Sequence, residues 1–148
     1  TLAVLQSHMA RTGYTASTQI GEPASPPDAI DKVHAAIYMV NAGPRALTLN
    51  DTIEIHTVQI RIYRKAALAQ GENAGQVEEE VALATSQISS NFLGDFTLGS
   101  TVRNIDIAGQ YGAPFSATWG YAEIGGVMFR VVDMVVPLVV DGSATTAA

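Results

Sequence analysis

Histidines and carboxylates are the side chains of this sequence that could bind a metal ion or transfer a proton. His8, His34 and His56 are dispersed and lack the paired spacing of a metal site. Glu78–Glu80 are consecutive, and helical neighbours point about 100° apart, so they cannot face one site together. We therefore interpret His34 and His56 as ordinary solvated strand residues and the glutamates as the solvated first turn of a helix, where negative charge suits the helix dipole.

Two aspartates, Asp106 and Asp133, each interrupt an apolar strand. A structural ion pair explains such a residue better than catalysis, and Arg130 and Arg103 are the partners we expect for Asp133. The sequence contains no nucleophile elbow, no phosphate-binding glycine loop and no cysteine. These absences predict a protein that is not an enzyme and has no cofactor or metal ion.

Phe115, Trp119 and Tyr121 form an aromatic group in a glycine-containing stretch. Such a group could line a pocket or a protein interface, or it could pack a strand against a helix. No basic residues are interleaved with these rings, which argues against stacking on single-stranded nucleic acid.

Composition points to contacts between proteins. The chain has 148 residues, a net charge of −6, 47% hydrophobic residues and 15% charged residues. The acidic balance disfavours binding to nucleic-acid phosphates, and the apolar content suggests that some apolar surface meets a partner. Val127–Val140 is too short and too interrupted to span a membrane, and no secretory signal is evident, so we expect a soluble protein without membrane contact.

Hydrophobic spacing in the first third predicts three elements. Residues 2–12 suit a short amphipathic helix, and Tyr14–Ile20 suits a strand that ends at a Pro-rich loop. Val33–Val40 is nearly continuous apolar sequence, which favours a strand covered on both faces, although a short helix is an alternative. Asn41–Pro44 is expected to end this element.

The middle of the chain predicts a strand and a long helix. Thr52–Arg64 alternates, with a change of phase that suggests a bulge near His56 and Thr57. Val77–Phe92 carries apolar residues at helical spacing, and Gly94 follows at the position of a left-handed C-terminal cap.

The last third predicts three strands. Val102–Ile107 is short, while Phe115–Ile124 and Val127–Val140 are joined by a Gly-Gly turn. At roughly 3.3 Å per residue the last strand would extend about 45 Å, so we expect part of it to project or to pair with a neighbouring subunit. The predicted fold is α+β, a mainly antiparallel sheet with one long helix on a face and a short N-terminal helix. It forms one domain over residues 1–142, followed by a flexible tail at 143–148.

Four features together resemble the phage tail terminator proteins, also called minor tail proteins. They are the Ile-Arg-Ile-Tyr-Arg strand at 60–64, the helix Val77–Phe92, the Leu-Gly-Ser-Thr-Val-Arg segment at 98–103 and the hairpin Tyr121–Asp133. The resemblance covers about two thirds of the chain in the order of its elements, and no single motif in it is diagnostic.

The resemblance implies a structural virion protein that forms a ring, with six subunits expected, at the head-proximal end of the tail. The ring would cap the tail tube, end its polymerisation and meet the neck or head-completion proteins, while DNA passes through the bore without specific binding. We expect the hairpin Phe115–Val140 and the loop Ala66–Gly75 to make the subunit contacts. The candidate interface residues are Tyr63, Arg64, Gln70, Glu72, Phe115, Trp119, Tyr121, Arg130 and Asp133.

Two other functions stay open at this point. Another head-tail connector or a tail-tube protein would share the virion location. A small-molecule-binding α+β domain would instead use the aromatic group and Asp133, and it predicts saturable ligand binding by a monomer or dimer.

Overall fold

A computed structural model describes residues 2–10, 15–27, 32–46, 52–66, 74–95, 97–98 and 102–141. The elements are α1 (Leu2–Ala10), β1 (Ser17–Ile20), β2 (His34–Ala46), β3 (Thr52–Lys65), α2 (Ala74–Gly94), β4 (Asn104–Ile105), β5 (Ser116–Ile124) and β6 (Val127–Asp141). The predicted α+β class, with one long helix and a short N-terminal helix, is confirmed. Within the described ranges, neither helix has the length and apolarity needed to cross a membrane.

All six strands form one sheet. Its order is β1-β2-β3-β6, and the far side of β6 is shared by β5 over one half and by β4 near the C-terminal end. β1 runs parallel to β2, and every other pair is antiparallel. β1 and β5 are therefore the outer strands along most of the sheet.

The main core lies between the sheet and α2, because alternate residues of the long strands point to the helix. Apolar residues of α2 meet alternate residues of β3 and β6, and α1 adds two side chains at one end. The fully buried members from these four elements are Leu5, Met9, Val58, Ile60, Ile62, Val81, Ala84, Ile88, Phe92, Val132, Met134, Val136 and Leu138. We call this side of the sheet the helix face and the other side the open face.

β2 is longer than the sequence indicated. The strand predicted over Val33–Val40 is confirmed, but Asn41–Pro44 does not end it, and β2 continues to Ala46. Its register with β3 shifts between Met39 and Asn41, so the bulge lies on β2 opposite Thr57, and not on β3 as predicted. A bulge accommodates the extra residue Val40, and pairing with β3 as far as Ala46 continues the strand past Gly43 and Pro44.

β6 does not project from the sheet, which contradicts our expectation for the last strand. It pairs with β3 from Phe129 to Asp141, while β5 and β4 pair with parts of its other side. β3 has 14 residues, which makes it long enough to satisfy the backbone of the 15-residue β6 within one subunit.

The Gly125-Gly126 turn is confirmed. Both glycines have positive φ, +58° and +82°, as a two-residue hairpin requires. A Cβ atom on Gly125 would lie 2.5 Å from Cδ of Pro26, so the Pro-rich loop packs directly on this turn.

Two predictions at the ends of α2 are wrong. Gly94 belongs to the helix and has no positive φ; the left-handed residue that follows is Leu98, with φ of 50°. Glu78–Glu80 lie beyond the first turn, because α2 begins at Ala74. The carboxylates of Glu78 and Glu80 contact arginines of the sheet instead of the helix N-terminus.

Candidate assembly surface

Two ion pairs attach α2 to the sheet. Arg64 Nε lies 3.0 Å from Glu80 Oε2, and Arg130 donates hydrogen bonds of 3.0 Å to both carboxylate oxygens of Glu78. The bond from Arg130 lowers the pKa of Glu78 and raises the pKa of Arg130. Both arginines belong to the helix face, so these pairs fix the helix over β3 and β6.

β5 lies beyond the reach of this helix. The backbone of α2 lies over β3 and β6 and does not approach that of β5, so the outer end of β5 stays partly exposed on the helix face, although Ala117 still packs against the main core. Trp119 and Tyr121 project from that face and are 42% and 66% exposed. We call these two rings and the strand that carries them the β5 shelf.

Arg130 joins the β5 shelf to α2. Its guanidinium carbon lies 4.6 Å from the centre of the Tyr121 ring, and its Nη1 donates a 3.1 Å hydrogen bond to the Gly120 carbonyl. Because Arg130 is held by Glu78 on one side, the cation is fixed under the tyrosine. The shelf is therefore an exposed aromatic surface on an outer strand, with the Arg130 cation held against the Tyr121 ring.

Asp133 lies on the other side of the sheet. It forms a two-bond ion pair with Arg61 of β3, at 2.8 and 3.1 Å, and so pairs with neither Arg130 nor Arg103. Its hydrogen bond raises the pKa of Arg61. Burial raises the pKa of the nearby Tyr38, an effect that Arg61 opposes and Asp133 strengthens. The expectation of a structural ion pair holds, but with a partner 72 residues away.

A second, smaller apolar cluster fills one end of the open face. Tyr63 is 1% exposed and packs edge-on against Phe129, with ring centres 5.6 Å apart. His34 lies 5.7 Å from the Tyr63 ring, and its Nδ1 lies 2.6 Å from the Ser17 hydroxyl. His34 is thus a buried structural residue, not a solvated one.

Asp106 organises the loop before β5. Its carboxylate accepts hydrogen bonds from the backbone N–H groups of Gln110 and Tyr111, at 2.8 and 3.0 Å. This loop borders a recess of about 400 Å³ on the open face, which has no charged lining residue. The recess is lined by Val40, Asn41, Gly43, Ile55, Thr57, Tyr111, Gly112, Ala113 and Pro137.

The predicted interface residues separate into distinct places. Trp119, Tyr121 and Arg130 lie together at the β5 shelf, whereas Asp133 lies on the open face. Tyr63 and Arg64 are almost completely buried in the subunit, and Phe115 packs against the main core. Gln70 and Glu72, and most of the loop Ala66–Gly75, lie outside the described residues. Sequence reasoning missed that β5 would be an outer strand left uncovered by the helix.

Among the described residues, no group of three or more metal-binding side chains is found, and His56 pairs with Glu54 at 3.0 Å. The aromatic group and Asp133 are on opposite faces, so the structure does not bring them into one pocket.

Comparison with known proteins gives structural relatives but no sequence family. No family model matches the chain, and no curated protein matches it. The fold is similar to that of a chain in the virion of a native gene transfer agent particle, with a TM-score of 0.53 and 17% sequence identity. The similarity covers 95% of this chain and 93% of that chain. At this identity the match shows a shared fold over nearly the whole chain.

Proposed function

We propose that this protein is a structural, non-enzymatic component of a phage or phage-like virion, and that it forms a ring capping the tail tube. The observation that carries the proposal is the β5 shelf: exposed Trp119 and Tyr121 on an outer strand that the subunit's own helix leaves uncovered. The fold shared with a chain of a gene transfer agent virion supports the same class of protein.

The shelf has the properties of a protein interface. Tryptophan, tyrosine and arginine are the residues that most often dominate binding between proteins, and Trp119, Tyr121 and Arg130 form one continuous group here. Large exposed apolar groups are disfavoured on a small monomer, so burial against another copy would stabilise the assembly. Identical subunits that contact each other through two different patches close into a ring when the rotation between them allows it.

The charge of the chain fits a tail channel. A net charge of −6 would repel the DNA phosphates, so DNA could pass through the bore without specific binding. The ring would end tube growth at the head-proximal end and present its other side to a neck or head-completion protein. The virion is accordingly the proposed location.

Tube assembly tests this role directly. Tube protein would be polymerised alone and with increasing amounts of this chain, and the tubes would be measured by electron microscopy. We expect shorter tubes that carry a ring at one end. The variant Trp119→Thr/Tyr121→Thr is the control, because it should neither form rings nor shorten tubes. Tubes of unchanged length without end rings would contradict the capping role, and rings incorporated along the tube would indicate a tube subunit.

A further inference from the structure

We propose that neighbouring subunits join edge to edge, with β5 of one copy pairing antiparallel with β1 of the next, so that one sheet continues around the ring. This inference rests on the ring proposed above and names the contact that closes it. The occupant of the β5 shelf is then a second copy of this chain.

Both outer strands lack the residues that usually protect an exposed sheet edge from pairing with another strand. Monomeric proteins protect exposed sheet edges with charged residues, especially lysine, or with proline. β1 reads Ser-Thr-Gln-Ile and carries no charge, and β5 reads Ser-Ala-Thr-Trp-Gly-Tyr-Ala-Glu-Ile with a single charge at Glu123. Among the described residues, no strand pairs with the outer side of either one.

The strand directions agree with a ring. β1 and β2 are parallel, and three successive antiparallel pairings lead from β2 through β3 and β6 to β5. β5 therefore runs opposite to β1 within one subunit. A rotation about an axis along the strands keeps these directions, so β5 meets the next β1 in the antiparallel sense.

The two edges also occupy the same rows of the sheet. Following the pairing across one subunit, Gln19 lies in the row of Thr118, and Thr18 lies in the row of Trp119. In an unstaggered junction these residues would face each other across the subunits. Ile20, which is 48% exposed, would then lie diagonally beside Trp119 and cover part of its ring.

The helix layer supports the same junction. α1 packs against β1, β2 and α2, so it lies on the helix face at the β1 edge, and Gln6 donates a hydrogen bond to the Thr18 carbonyl. When β1 of the next copy joins β5, its α1 comes to the side of the β5 shelf. The neighbour's helix thus covers the two rings that the subunit's own α2 does not reach.

Charge favours this neighbour as well. Glu123 lies at the hairpin end of β5, and Lys32 is exposed just before β2, one strand in from the opposite edge and at the corresponding end of the sheet. Edge-to-edge pairing brings these opposite charges to the same end of the junction. Pairing of β5 with a second β5 would instead leave Glu123 without a basic group from β1 or β2 beside it.

Disulfide trapping tests the junction, and the chain has no native cysteine to interfere. Thr118→Cys protein is mixed with Gln19→Cys protein under a mild oxidant such as copper phenanthroline, and covalent dimers are measured on a non-reducing gel. Opposed residues of antiparallel strands lie about 4.5–5.5 Å apart at Cα, within the span of a disulfide. We expect a covalent dimer in the mixture and a ladder of covalent multimers from a chain carrying both substitutions.

Controls separate this junction from other contacts. Each single-cysteine protein alone should give no covalent dimer, and Ser86→Cys, exposed on α2, should not react with Gln19→Cys. Ser116→Cys and Gly120→Cys, mixed in turn with Gln19→Cys, cover a shift of register by two residues. Dimers from Thr118→Cys alone would overturn the inference in favour of pairing between two β5 strands. Rings that form without any of these crosslinks would overturn it while leaving the ring itself intact, whereas a strict monomer would contradict both.

Discussion

Replacing both rings of the β5 shelf by threonine should strongly weaken association and leave the subunit folded. Threonine is a β-branched residue that favours a strand, and it removes both aromatic surfaces. The exposed fractions of Trp119 and Tyr121 are 42% and 66%. With about 200 Å² per aromatic side chain, this is roughly 200 Å² of exposed surface, or about 5 kcal/mol if it were fully buried at about 25 cal/mol per Å².

A subunit contact would cover only part of that surface. If about half is buried, the double variant loses roughly 2–3 kcal/mol for each contact, which is about 30- to 150-fold in association. The buried portion of Trp119 also supports the subunit, so the free energy of unfolding should fall by about 2 kcal/mol. Association would be measured by sedimentation velocity across a range of concentrations, and unfolding by circular dichroism in urea.

Two controls make this result interpretable. Leu83→Gln removes an apolar side chain that is 43% exposed on α2, and it should leave association unchanged. Ile88→Val weakens the core by about 1 kcal/mol without touching the surface, and it should also associate normally. If the double variant formed the same assemblies as the unmodified protein at the same concentrations, the assignment of the β5 shelf as a contact would be refuted.

Three further predictions concern the subunit itself. Phe92→Ala should lower the free energy of unfolding by about 3–5 kcal/mol, because Phe92 is fully buried. Leu93→Ala should lower it by less than about 1 kcal/mol, because Leu93 is half exposed. Urea unfolding measures both losses, and equal losses would contradict the orientation of α2. Gly125→Ala should destabilise the protein more than Gly126→Ala: both glycines have positive φ, but only at Gly125 would the new Cβ meet another residue, Pro26. Thermal midpoints in the reverse order would contradict the packing of Pro26 on Gly125. The hydrogen bond from Arg130 lowers the pKa of Glu78 below its ordinary value of 4.5, so Glu78 should stabilise the fold above about pH 4.5 and lose this effect as the pH falls through the folded pKa. Glu78→Gln should therefore be less stable than the unmodified protein at about pH 6, by under about 1 kcal/mol for so exposed a pair, and urea unfolding at lower pH should show this difference shrinking. A difference that grows on acidification would contradict the ion pair.

Local patterns predicted the elements whose signal lies within a few residues. The apolar spacing of Val77–Phe92 and the Gly-Gly turn at 125–126 correspond directly to α2 and the last hairpin. The glycine and proline of Asn41–Pro44 wrongly predicted the end of β2, because pairing with β3 stabilises the strand beyond them. Tertiary pairing, which no local pattern reports, decided that boundary.

The candidate surface depended even more on distant contacts. The aromatic group was visible in the sequence, but its exposure follows from β5 being placed outside the reach of α2. The partner of Asp133 was missed because Arg61 is 72 residues away and adjoins it only through the β3-β6 pairing. Residue types indicated which side chains mattered, while sheet order determined which of them share a surface.

The mass of the purified protein in solution is the most direct test of the proposed assembly. One chain has a mass of 15.6 kDa, and light scattering over a series of concentrations would give the number of chains in each species. We predict a closed species of six chains, on its own or after tube protein is added, and a ring of six when that species is imaged. A protein that remains a monomer at every concentration, with and without tube protein, would contradict the proposed function.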